Sequence, residues 1–304
     1  MFGFAIGCYL FLGGLAGALG AVTSGVALVV PASEVCKCIG EGHRRLVGMP
    51  LLIATVAILA SALCLLADTS RPEAIGALFW SPRVNILTVG AWLLVVFGTL
   101  CAGLALFWLY GQRVRHNRLL CMAHGILLAL GIAVTAYSAL YLAGIRAVPL
   151  WHSWWLVPLF VGSSFAAACA VFAAVLFGAR VDERFPRLLR RLKALSLTFL
   201  AMEAVSACGF ALTALLGPIE GSAAAAVTSV AELLFGPGAF IWWGGFALIG
   251  VAGSIFFELA PVRLPCDRRM AYSFGMAACA CALLGTFSLR MSVMMAGAHP
   301  VMGF

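Results

Sequence analysis

The chain has 304 residues, of which 64% are hydrophobic and only 10% charged. A soluble domain carries about 45–50% apolar and about 25% charged residues, so a soluble fold is excluded and a polytopic membrane protein is indicated. The net charge of +8 lies in short stretches between apolar runs, where basic residues set topology, and it does not argue for nucleic acid.

The first apolar run covers 4–30. It has no basic stretch before it and exceeds a signal-peptide core, so it is expected to span the membrane. Tyr9 stands near its start. Gly13 and Gly17, like Ala16 and Gly20, are four residues apart, a spacing that lets helices approach closely. The connection after it holds Lys37, Arg44 and Arg45, and a lone Cys36-x-Cys38 pair. No second pair follows, so neither zinc nor an iron–sulfur cluster is supported. Most other cysteines lie singly in apolar segments and read as small hydrophobes.

Further spans are expected at 49–67, 86–110, 118–143, 153–178, 194–216, 237–257 and 270–296. Each approaches the roughly 20 residues a helix needs to cross about 30 Å of hydrocarbon, and helices satisfy their own backbone groups in lipid. The expected fold is therefore all-α: one membrane-embedded bundle over residues 1–304 with eight transmembrane helices. "LFLGGLAGALGA" (10–21) and "LFVGSSFAAACA" (159–170) share Leu, Phe, Gly and two Ala in register, which suggests two four-helix halves with the first span over the fifth.

The loop charges orient the bundle. The third connection holds Arg113, Arg115 and Arg118, the seventh holds Arg263, Arg268 and Arg269, and the fifth holds Arg180, Arg184, Arg187, Arg190, Arg191 and Lys193. The even connections hold only Arg71, Arg83 and Arg146. By the positive-inside rule the odd loops face the cytoplasm and both termini face outward. The outer loops 68–85, 144–152 and 217–236 are rich in aromatic and turn residues, as in "ALFWSPRVN" and "GIRAVPLWHSWW".

Polar residues inside spans mark candidate function. Arg290, in "GTFSLRMSVMMAG", lies roughly 30 Å along a helix starting near Met270, close to the outer boundary. It either snorkels to the interface or meets a partner in the bundle. Glu203, near mid-depth, reads either as a neutral structural carboxyl or as a proton relay. Tyr137 and Tyr141 are one turn apart on one face of the fourth span. Trp151, Trp154 and Trp155 suit an interfacial belt with His152 among them, and a lone His124 reads as satisfied locally. Of five histidines only His124 lies in a span, so no pair of axial ligands is available and intrinsic haem is not expected.

The stretches "CYLFLGGLAGAL", "SPRVNILTVGAWLLVVF", "TAYSALYLAGIRAVPLWHSWWLVPLFVGSSF" and "LLGTFSLRMSVMMAG" together resemble the NrfD/PsrC-type membrane subunits of polysulfide-reductase and related molybdopterin oxidoreductase complexes, and the resemblance spans nearly the whole chain. The pattern departs at Ala139, where the family has Gly, at His152, where it has Asn, and at Cys8. The resemblance implies a haem-free and metal-free subunit of the bacterial cytoplasmic membrane that binds menaquinone or ubiquinone near the outer face. It also implies docking of a four-cluster iron–sulfur subunit and a molybdopterin catalytic subunit on that face. Tyr137 matches the family's quinone-site tyrosine, and Tyr9 and Arg290 match its first- and eighth-span motifs. Tyr141, His152, Trp151 and Asn85 lie at the same expected depth and complete the expected quinone contacts, with Glu203 carrying protons. A DMSO reductase-type anchor is the related alternative. A proton-coupled secondary transporter is the alternative of another class, although no span shows a conspicuous Gly/Pro break.

Overall fold

The computed structural model describes residues 4–29, 44–68, 86–110, 118–145, 148–179, 185–216, 222–263 and 267–297. Asn85, Cys36, Cys38 and many of the basic loop residues lie outside the described residues. Among the described residues every regular element is helical, as internal satisfaction of backbone groups in lipid requires. Eight helices are long and apolar enough to cross a membrane, so the chain is a multi-pass membrane protein.

The spans are α1 (Phe4–Val29), α2 (Met49–Asp68, entered through a wide turn at Arg44–Gly48), α3 (Ile86–Tyr110), α4 (Arg118–Ala143), α5 (Leu156–Gly178) and α6 (Pro186–Leu215). After a short outer helix, α7 (Ser222–Phe235), come α8 (Ile241–Pro261) and α9 (Arg268–Gly297). The end where α1 starts and α9 finishes is called the outer end here, after the loop charges.

Three elements differ from the sequence expectation. The segment 217–236, read as an outer loop, contains α7, an alanine-rich stretch of good helix formers too short to cross a bilayer. α6 begins eight residues before the expected start at 194: Pro186 opens its first turn, where a missing N–H costs nothing. Arg187, Arg190 and Arg191 are thus exposed on the first turns of a helix rather than in a loop. α8 is wound with i→i+5 hydrogen bonds over Ile241–Gly253, a wide geometry rare over more than one turn. Gly244, Gly245, Gly250 and Gly253 lie in that stretch.

α1 packs most extensively on α4 and α2, α5 on α6, and α9 on α8, while α1–α5, α4–α5 and α1–α9 contacts join the two groups of four spans. α1 and α5 are the central helices: 67% and 83% of their apolar windows are buried, against 28–39% for the others. These are the two segments that carry the short internal repeat, and their small residues are what centrality demands. At the α1–α4 crossing a Cβ on Gly17 would lie 2.8 Å from the Gly131 carbonyl oxygen, and one on Gly131 would lie 2.5 Å from the Gly17 carbonyl oxygen, so both backbones need glycine there. Toward the inner end, Trp108 Nε1 donates to His124 Nε2 (3.0 Å), and His124 Nδ1 meets Ser24 Oγ at 3.2 Å. His124 therefore ties α1, α3 and α4 together.

Candidate functional site

A guanidinium has five N–H donors in a planar fork, and Arg290 uses all five inside the protein. Nε donates to the Leu10 carbonyl (3.1 Å), Nη1 to Ser163 Oγ (3.0 Å) and the Thr286 carbonyl (3.1 Å), and Nη2 to Ser164 Oγ (2.6 Å) and the Phe160 carbonyl (3.3 Å). The side chain is 0% exposed and its Cζ lies 4.8 Å from the Phe160 ring centroid, a cation–π geometry. Arg290 does not snorkel. It joins α9 to the outer halves of α1 and α5 through neutral acceptors. A Cβ on Gly14 would come within 2.9 Å of Nη2, so glycine there lets the guanidinium lie against α1.

Tyr9 sits one residue before Leu10, the first of those acceptors. Its carbonyl also accepts from Ser61 Oγ of α2 at 3.0 Å. Tyr9 of α1 and Tyr137 and Tyr141 of α4 converge: the Tyr137 and Tyr141 rings are 6.1 Å apart, and both phenols interact electrostatically with that of Tyr9. Tyr9 and Tyr137 are buried and Tyr141 is half-buried. Tyr137 rests directly on Gly90 of α3, where any side chain would collide with the phenol. Two residues before Gly90, the buried Thr88 hydroxyl has no hydrogen-bond partner among the described residues, although buried polar groups are normally paired.

The remaining expected residues divide. Trp151 is fully buried, not part of an interfacial belt, and its Nε1 donates to the Val293 carbonyl of α9 at 3.0 Å. Trp154, by contrast, is exposed. His152 is exposed, with Nδ1 3.2 Å from the Ala143 carbonyl at the outer end of α4. Glu203 is buried on α6 and lines a narrow hollow with Leu200, Ala166, Gly250, Gly285 and Thr286. Thr286 is the residue whose carbonyl accepts from Arg290, so Glu203 and Arg290 lie along one side of α9.

Sequence reasoning missed Glu258. It lies just past the expected end of the seventh span at 257, yet it is buried and accepts from Ser196 Oγ at 2.5 Å. The available signal was the pairing of Ser254 and Glu258 one turn apart on one helix face.

The site is thus a triad of phenols at the outer end, a fully bonded arginine beside it and a buried carboxylate deeper in the bundle. Phenols both donate and accept hydrogen bonds, which suits a ligand that alternates between carbonyl and hydroxyl oxygens. Among curated proteins none matches the chain. The family model described as "Polysulphide reductase, NrfD" matches residues 1–301, and the chain belongs to the NrfD family.

Proposed function

We propose that the chain is the quinone-interacting subunit of a respiratory oxidoreductase in the bacterial cytoplasmic membrane. NrfD-family proteins are membrane subunits of oxidoreductase complexes that include iron–sulfur and molybdopterin subunits, and they are associated with the quinone pool. The observation that carries the reading is the convergence of Tyr9, Tyr137 and Tyr141 at the outer end of a membrane-spanning bundle. A menaquinone or ubiquinone headgroup needs hydrogen-bond partners at its two oxygens beside an apolar surface for its tail. The three phenols and the unpartnered Thr88 hydroxyl supply the first, and the lipid-facing sides of α3 and α4 supply the second.

In this reading the tyrosines bind and orient the headgroup and exchange protons with its oxygens. Arg290, with every donor engaged, is a positioning residue: it fixes α1 at Leu10 and so sets Tyr9. Trp151 pins the 149–151 turn to α9, and His152 stands at the mouth. When bound, the quinone supplies two-electron chemistry, and a four-cluster iron–sulfur subunit docked on the outer face, next to the molybdopterin subunit, exchanges those electrons. The transporter alternative calls for a broken substrate helix with free backbone groups. α8 is widely wound but continues into the Ser254–Arg263 segment without interruption.

The reading is tested by titrating the intact complex with a fluorescent hydroxyquinoline N-oxide, a quinol analogue whose emission is quenched on binding. Loss of one hydrogen bond is worth about 1 kcal/mol, so Tyr137→Phe is expected to weaken binding roughly five- to tenfold. Wild-type affinity in all three single Tyr→Phe variants would overturn the site.

A further inference from the structure

At the inner end of the bundle α5, α6, α8 and α9 border an open cleft lined by Cys169, Lys193, Ser196 and Glu258. Glu258 is 6% exposed. One carboxylate oxygen accepts from Ser196; the other, Oε2, has no hydrogen-bond partner among the described residues. Lys193 of α6 and Cys169 of α5 are the titratable groups that interact with it electrostatically. α9 contributes only Gly275 and Ala278 to the cleft wall.

A carboxylate kept only for structure would have both oxygens paired, because an unmatched buried polar atom is costly. The unmatched atoms here also form a line. Ser254, one turn outward from Glu258 on α8, is fully buried, and its hydroxyl has no partner among the described residues. Gly250, four residues further out, lines the hollow that holds Glu203. It meets Gly285 so closely that a Cβ on it would lie 2.5 Å from the Gly285 Cα. On the facing helix, Ser196 and Glu203 are seven residues apart, about 10 Å along α6, and Ala166 borders both: its carbonyl lies 3.5 Å from Ser196 Oγ and it lines the Glu203 hollow. Of the three buried side-chain oxygens without a partner among the described residues, two belong to this line and the third is Thr88 beside the tyrosines.

We propose that Glu258 is a proton-loading carboxylate. It exchanges protons with the inner aqueous phase through the cleft beside Lys193 and passes them by the Ser254 hydroxyl to Glu203. The destination of the protons rests on the quinone reading. Each reduction of a quinone to its quinol takes two electrons from the iron–sulfur partner and two protons, and this line brings those protons from the inner side as far as Glu203; in the opposite direction the same groups carry them back. The carboxylate accepts one proton and releases one per transfer, so it ends each cycle unchanged.

The test uses the intact complex in oriented proteoliposomes, with a pH-indicating dye on the inner-face side and infrared spectra of the carboxylic C=O band. The wild type is expected to draw protons from the inner side during quinone reduction and to show a C=O band that titrates with inner pH. Glu258→Gln should remove that band and slow inner-side proton uptake by about tenfold or more, with hydroxyquinoline N-oxide affinity unchanged; Glu258→Asp should restore part of the uptake. Ser254→Ala, which deletes one hydroxyl and no charge, should slow uptake while keeping the band, and it serves where Glu258→Gln does not assemble. Wild-type uptake in these variants, or a band that ignores inner pH, would overturn the proposal. If the wild type shows no quinone-linked turnover, the quinone reading fails, and the infrared titration still decides whether Glu258 loads from the inner side.

Discussion

Arg290→Ala is expected to cost the folded subunit about 4 kcal/mol or more. Arg290 is among the largest fully buried side chains, and truncation leaves a cavity where α1, α5 and α9 meet. The transfer and cavity terms for a large buried side chain reach about 2–5 kcal/mol. Five hydrogen bonds from a charged donor are lost as well. The accepting carbonyls keep their helical partners, and Ser163 and Ser164 still donate to the Phe160 carbonyl, so the loss comes from packing and from the donor side. Arg290→Lys keeps the charge but offers three donors on a point-like head, and it should fall between the two. Thermal unfolding of the detergent-solubilised complex, followed with the subunit's level in membranes, checks the ranking. Wild-type melting of Arg290→Ala would show that the arginine does not clamp the helices.

Glu203→Gln is expected to leave the fold intact and to lower quinone-linked turnover by about a hundredfold, the lower range for loss of a general acid–base group. Glutamine matches glutamate in size, so the hollow beside Thr286 and Gly285 is kept while the proton-carrying group is lost. The informative readout is the split between parameters. Turnover should fall with quinol KM nearly unchanged, because Glu203 lies on α6 away from the phenols of α1 and α4. A large rise in KM with constant turnover would instead place Glu203 in the binding site.

Much of this arrangement was legible in the sequence. The eight spans follow from apolar runs of sufficient length, and the central position of α1 and α5 is foreshadowed by their Gly-, Ala- and Ser-rich repeat, because only small side chains allow such close crossings. Counting helix rise placed Arg290 toward the end where α1 starts, near Leu10. Its acceptors were not legible, since three of the five are backbone carbonyls, which carry no sequence signature. Only the adjacent Ser163 and Ser164 in an apolar run hinted at them. Trp151 was read as part of an aromatic belt because a tryptophan beside a loop looks alike whether it faces lipid or, as here, donates to the Val293 carbonyl. Helix α7 was hidden by flanking Gly and Pro residues and by a length that fails the membrane criterion. Glu258 was lost by a single residue at a span boundary, the least certain feature of any hydropathy reading. The wide winding of α8, which brings Gly250 against Gly285 of α9, has no signature in local propensity.

Binding of the quinone headgroup among Tyr9, Tyr137 and Tyr141 is open to direct test by photolabelling. The intact complex is irradiated with an azidoquinone, and the attached residues are mapped by mass spectrometry, with and without excess unlabelled quinone. Competable adducts are expected on the outer turns of α1, α3 and α4 near these tyrosines, sharply reduced in Tyr137→Phe. Competable adducts confined to the hollows of α5, α6, α8 and α9, with labelling in Tyr137→Phe equal to wild type, would contradict it.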